Sequence, residues 1–148
     1  MPKWVKLVIA ILLLPLCIGA ASALTRVISA AGNAHDFWIA VVGGAACWLT
    51  VFLLLPKPML VYVFGHELTH AVWTWVCGGR VKKFKASASG GHVVLTKSNF
   101  LIALAPYFFP LYAVLVILAF AIGRLIWNWE PYVPWCNFFT GAAYAFHI

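Results

Sequence analysis

The run Gly65-His66-Glu67-Leu68-Thr69-His70 sets two imidazoles four residues apart with a carboxylate beside the first. On a helix, that spacing puts both rings on one face with Cβ atoms about 5–6 Å apart. Two such rings can converge on one divalent ion at zinc–nitrogen distances of about 2.0–2.1 Å. The expected cofactor is therefore Zn2+, one per chain, on His66 and His70. Zinc with three protein ligands and an open position brings the pKa of its water to about 7. Glu67 is placed to take that proton and later deliver it to a leaving amine, the work of a catalytic general base and acid. The chemistry this pattern can perform is metal-assisted hydrolysis of a peptide bond. Two histidines leave the ligand set one short. His35, Asp36, His92, Glu130 and His147 are the remaining candidates, each with an ordinary reading as a loop or core side chain, and the third ligand is expected beyond residue 148.

The elements that must hold these residues are apolar. Of the 148 residues 65% are hydrophobic and 9% charged, with a mean hydropathy of +0.99, against roughly 25% charged residues in a soluble domain. Such a chain is not a water-soluble globule, and its hydrophobicity equally excludes a disordered tail. The net charge of +7 reflects a shortage of acids, three in all, more than a basic face. Nucleic acid is therefore not an expected partner. Stretches near 4–24, 37–55, 59–78, 99–123 and 134–148 approach the roughly 20 residues needed to cross a bilayer. Backbone groups in lipid must be satisfied within their own segment, and barrel-like alternation is missing. The expected fold is an all-α polytopic membrane protein of four to five transmembrane helices, a single integral-membrane domain over residues 1–148. In the third span the histidines fall roughly 11–12 Å from its ends. An ionisable Glu67 at that depth calls for a partner, and a cation supplies one. Tyr62, His66, Thr69, His70, Trp73, Thr74 and Cys77 continue a polar stripe along the same helix. It reads either as a path for water or substrate, or as interhelical glue.

The flanks carry topological signals. Lys3, Lys6, the run Leu7–Leu16 and Ala21-Ser22-Ala23 resemble a secretory signal, but the stretch is long enough to span and remain. Arg80, Lys82, Lys83, Lys85 and Lys97 outnumber Lys3 and Lys6, which places the 80–97 loop in the cytoplasm. Trp127, Trp129, Tyr132 and Trp135 form an aromatic belt on the external side. The four cysteines stand singly and read as small core residues. The last apolar stretch has no polar flank, so the domain is expected to be truncated at its C-terminus.

Between the third and fourth spans, Val81–Ala88 and His92–Lys97 are β-prone runs around Ser89-Gly90-Gly91, a short β-hairpin. Its exposed edge could hold an extended substrate through main-chain hydrogen bonds, with Gly90, Gly91 and His92 as the candidate substrate-binding residues. The alternative is a basic loop lying on anionic headgroups. Pro106 and Pro110 in the fourth span each free a backbone carbonyl and predict a kink.

This order of features resembles the site-2 proteases, the M50 (M50B-like) intramembrane zinc metallopeptidases. The likeness rests on the H-E-x-x-H inside an apolar span, Gly78-Gly79-Arg80-Val81 directly after it, the Gly90-Gly91 pair and Ala103-Leu104-Ala105-Pro106, covering about residues 59–115. It implies that His66 and His70 bind zinc, that Glu67 is the general base, and that the hairpin is a membrane-associated β-structure on the cytosolic side. It also implies a third ligand, an aspartate in a later span, whereas no residue after Glu130 is acidic. The function expected is that of a multi-pass protease of the cell (inner) membrane, with the lipid bilayer as its setting and a membrane-protein substrate as its partner. Two other classes stay open: a non-catalytic membrane scaffold or quality-control protein retaining the fold, and a metal transporter or membrane oxidoreductase using the same histidines. The last lacks the intramembrane carboxylates that ion pathways need. Oligomeric state is not set by any of these features.

Overall fold

The computed structural model describes residues 3–30 and 34–148; Met1, Pro2 and residues 31–33 of the expected 1–148 domain lie outside the described residues. The described residues are mostly helical: six α-helices, one short 3-10 turn and one two-stranded antiparallel hairpin. Helix α1 (Lys3–Ala30) runs unbroken through Pro15 and through Ala21-Ser22-Ala23. Its Ser22 and Thr25 hydroxyls donate to the carbonyls of Ile18 and Ala21, each 2.9 Å away, so they add no unsatisfied polar group. The described residues divide into two compact units, the first ending at His35 and the second beginning at Asp36.

In the second unit, proline and glycine set the boundaries. Helix α2 (His35–Leu54) carries Asp36 in its first turn, where the positive end of the helix dipole favours an acid. It ends before Pro56 and Pro58, which cannot continue it. Helix α3 (Met59–Val76) starts directly after Pro58. At its other end Gly78 adopts φ +74. The Gly78 and Gly79 amides then return to the carbonyls of Trp75 and Thr74, at 2.9 and 2.8 Å. This two-bond closure satisfies carbonyls that a helix end otherwise leaves open, and glycine is the residue that reaches the required φ without strain.

The hairpin is present, with its turn displaced. Strands β1 (Val81–Ser87) and β2 (Gly90–Leu95) pair Phe84 with Val93, Lys85 with His92, Ala86 with Gly91 and Ser87 with Gly90, with a bulge between Val81 and Lys83. The turn is Ala88-Ser89, so Gly90 and Gly91, expected in the turn, belong to β2. Gly90 has φ +138, a conformation open to glycine, and its carbonyl accepts from Ser87 Oγ at 2.6 Å.

The expected fourth span, 99–123, is two helices. Helix α4 (Phe100–Phe108) is capped by Asn99, whose side chain accepts from the Ile102 amide. Helix α5 (Leu111–Ile126) follows at a bend of 73°. Pro106 and Pro110 lack the amide protons that would carry one hydrogen-bond ladder across Phe109, so the ladder breaks there. A 3-10 turn (Glu130–Tyr132) then leads into α6 (Val133–His147). Among the described residues, two helices are long and apolar enough to cross a membrane, Ile11–Ala30 within α1 and His35–Leu54, or three if the bent α4–α5 pair counts as one. The count thus falls short of the expected four to five. Helix α3 has 18 residues interrupted by His66, Glu67 and His70, and α6 has 15.

The interior is built mainly from small side chains, with Ile102 and Leu111 as the larger exceptions. Ala71 and Thr74 of α3, Ala105 and Ile102 of α4, and Ala113 of α5 are nearly or fully buried. Helices α2 and α6 meet at Gly44 and Gly141, each lying against the other's backbone, at Phe138 and Val41 respectively. Leu53, Leu54 and Ile39 are instead 70%, 77% and 71% exposed. Close backbone approach through small residues with large apolar side chains outside is the arrangement that suits hydrocarbon surroundings.

Candidate metal centre

His66, Glu67 and His70 sit in the middle of α3, which the hairpin, α4 and α5 all touch. The two imidazoles stand side by side, ring centroids 5.0 Å apart and planes at 77°. His70 Nδ1 lies 2.7 Å from the Ile102 carbonyl oxygen. A carbonyl can only accept, so Nδ1 is the donor; in the neutral ring this leaves the lone pair on Nε2, the arrangement in which an imidazole ligates a metal through that nitrogen.

The sequence explains why that carbonyl is available. In a continuous α-helix Ile102 would accept from the residue four positions on. That residue is Pro106, which has no N–H. The proline opens a carbonyl on α4 and His70 fills it, while Asn99 holds the Ile102 amide from the other side at 2.8 Å. Pro106→Ala returns a competing donor to the Ile102 carbonyl. Partners of ligating histidines are worth about 10–100-fold in metal affinity, so Pro106→Ala is expected to weaken zinc binding about tenfold. Competition with a zinc chelator of known affinity would measure it, and an unchanged affinity would show that the carbonyl does not orient the ring.

Glu67 faces the hairpin. A Cβ on Gly91 would stand 2.9 Å from Glu67 Cγ, 2.7 Å from Val63 Cγ1 and 2.8 Å from the Lys85 carbonyl oxygen. Only the missing side chain lets β2 lie this close to the carboxylate. On the other side His66 opens onto a cavity of about 450 Å3, also lined by Tyr107, Tyr112 and His147. The ring of Tyr107 lies 6.2 Å from that of His66, edge to face. The Tyr112 hydroxyl donates to the Val61 carbonyl, with its ring against Gly65.

The polar stripe on α3 divides in two. Thr69 and Thr74 are buried and donate to the Gly65 and His70 carbonyls of their own helix, both at 2.8 Å. Thr74 packs between helices, whereas Thr69 also borders the cavity beside His66. Cys77 accepts a weak bond from Asn99 Nδ2 at 3.6 Å. Tyr62, His66 and Thr69 are the stripe residues at the cavity.

The other candidates are dispersed. Gly90 is at the turn end of β2, and His92 pairs with Lys85 on the face of the hairpin opposite Gly91. Glu130 is exposed and ion-paired with Arg124, and Asp36 opens α2. His147 shares the cavity with His66. Among the described residues no three His, Cys, Asp or Glu side chains group to hold an ion. His66 and His70 thus offer two imidazoles on one helical face, one protein ligand short of the three that a catalytic zinc takes.

The family model of the Peptidase M50B-like proteins matches residues 37–139, more than half of the chain. The chain belongs to this family. Neither a curated protein nor a solved structure matches it. The M50B-like match takes in α2 to α5, and with them the H-E-x-x-H helix and the hairpin. Sequence reasoning missed Tyr107, Tyr112 and the Ile102 carbonyl as parts of the site. Proline four residues after Ile102 was the signal for the last, since it marks which carbonyl loses its donor; which histidine would use it depends on how α4 packs.

Proposed function

We propose that this protein is an intramembrane zinc metalloendopeptidase that hydrolyses peptide bonds in or near transmembrane segments of membrane proteins. The observation that carries the reading is the His66–His70 pair 5.0 Å apart with His70 Nδ1 held by the Ile102 carbonyl, on a helix inside the M50B-like match. His66 and His70 would hold the zinc, which when bound supplies a Lewis acid and lowers the pKa of water. Glu67 takes the proton of the attacking water and delivers it to the departing amine. The hairpin holds the substrate as an added strand, its backbone at Gly91 lying beside Glu67, with Gly90 at the turn end and His92 on the far face. The protein is multi-pass in the cell membrane, with the hairpin on the cytoplasmic side.

Support for the membrane setting comes from the apolar helices and from the small-residue interior. The test is cleavage in proteoliposomes containing the purified full-length protein, zinc and a single-span substrate. Mass spectrometry of the fragments should place the cut within or beside the span. An intact substrate would overturn the proposal.

A further inference from the structure

The hairpin has two unlike faces. Phe84, Ala86, Gly91 and Val93 share one, as their pairing and the two-residue alternation of strands require. This face lies on α3: the Phe84 ring meets Phe64 at 5.6 Å, and Gly91 meets Val63 and Glu67. Lys83, Lys85, His92 and Val94 share the opposite face, and all four are exposed. At the base, Lys97 Nζ donates to the Cys77 carbonyl at 2.8 Å. The hairpin therefore folds back along α3 from Cys77 towards Val63, about 20 Å by the helical rise, and its lysines run alongside the helix that carries Glu67.

These cations are uncompensated. The chain has three acids: Glu130 is paired with Arg124, Glu67 lies under the inner face, and Asp36 opens α2. Among the described residues none of Lys82, Lys83 and Lys85 has an acidic partner. Among the described residues the sheet has two strands and no other backbone bond is made by Lys83 or Lys85, so the outer edge of β1 is open to a third strand. Lys83 and Lys85 then stand about 6.8 Å apart along that edge, the repeat of alternate residues in any strand that joins it.

Building on the proposed proteolysis, we infer that the free edge of β1 selects substrates whose extended segment carries acidic side chains at alternate positions, opposite Lys83 and Lys85. Opposite charges facing each other across a strand pair stabilise it, and like charges oppose it. The position favours a peptide over a lipid surface. The strand runs back along α3, and Lys85 stands one ladder pair from Gly91, which lies against Glu67, so a peptide on this edge lies beside the carboxylate proposed to act on it.

The test uses the full chain in phosphatidylcholine vesicles with two single-span substrates differing only in a Glu-x-Glu or a Lys-x-Lys segment beside the span. The wild type should cut the acidic substrate about tenfold faster, and the K83E/K85E double variant should prefer the basic one. Both lysines are exposed, so the double variant should fold. Fluorescence anisotropy with the two segments as free peptides reads the same preference without catalysis. It should show tighter binding of Glu-x-Glu to the wild type and of Lys-x-Lys to K83E/K85E. Failure of both substrates to be cut would count against proteolysis alone, because the anisotropy still decides the selectivity. Equal binding of both peptides, or a preference that K83E/K85E leaves unchanged, overturns the inference. So does a double variant altered only in its response to added phosphatidylglycerol, since the lysines would then serve the lipid surface.

Discussion

Glu67→Gln should lower cleavage of a reconstituted single-span substrate about a thousandfold, the size of effect expected when a general base and acid is removed. Gln keeps the shape and the hydrogen-bonding capacity of the side chain, so it still fits under Gly91, but it can neither accept a proton from water nor return one to an amine. His66 and His70 are untouched, and so is the bond from His70 to the Ile102 carbonyl. Elemental analysis should therefore still find close to one zinc per chain. Loss of cleavage with zinc retained separates the role of Glu67 from that of the histidines. Retained cleavage would remove Glu67 from the chemistry, and a scaffold protein would keep its cellular phenotype with Gln at this position. His70→Ala is the complementary variant, losing zinc and cleavage together.

The second large effect lies far from the chemistry. Gly44→Ala should destabilise the protein by about 3 kcal/mol, the upper range for overpacking, because the new Cβ would overlap the Phe138 carbonyl oxygen and meet the Ala142 amide at 3.0 Å. Those are backbone atoms of α6 and cannot turn aside as a flexible side chain can. Gly43→Ala is the control. Its Cβ would sit 3.9 Å from the Phe138 ring, an ordinary contact, and it gains the helix propensity of alanine, about 1 kcal/mol. Both substitutions are Gly→Ala on neighbouring residues of one helix, so they differ only in what the methyl meets. Unfolding in detergent by titration with dodecyl sulfate, followed by circular dichroism, should show a lower midpoint for Gly44→Ala and an equal or higher one for Gly43→Ala. Equal midpoints would mean that α2 and α6 do not meet at these glycines.

Much of the site was legible before any tertiary contact was known. A four-residue separation puts His66 and His70 on one helical face whatever surrounds the helix, because the 3.6-residue period is a property of the backbone. The end of α3 at Gly78, the start of α3 after Pro58 and the hairpin beyond Arg80 follow from local chemistry of the same kind. The glycines near residue 90 did not place the turn correctly. Both permit turn geometry, but Gly91 is required by its close approach to Glu67, a contact between elements that local propensity does not contain. The kink in 99–123 was legible from Pro106 and Pro110, but its size was not: hydropathy adds up along a sequence and is blind to the direction of the chain, which turns through 73° between α4 and α5.

The sequence by itself determined the apolar character of the chain, the pairing of two imidazoles with a carboxylate, and the family to which these residues belong. Tertiary structure alone decided the rest: which carbonyl His70 bonds to, which strand residue lies on Glu67, that Thr74 is a packing residue while Thr69 borders the cavity, and that His92 faces away from the site while His147 shares its cavity. The division has one physical cause. Helical periodicity and the conformational limits of proline and glycine act over a few bonds and can be read in order along the chain. Hydrogen bonds and close approaches between elements depend on how helices pack, which no short stretch of sequence encodes.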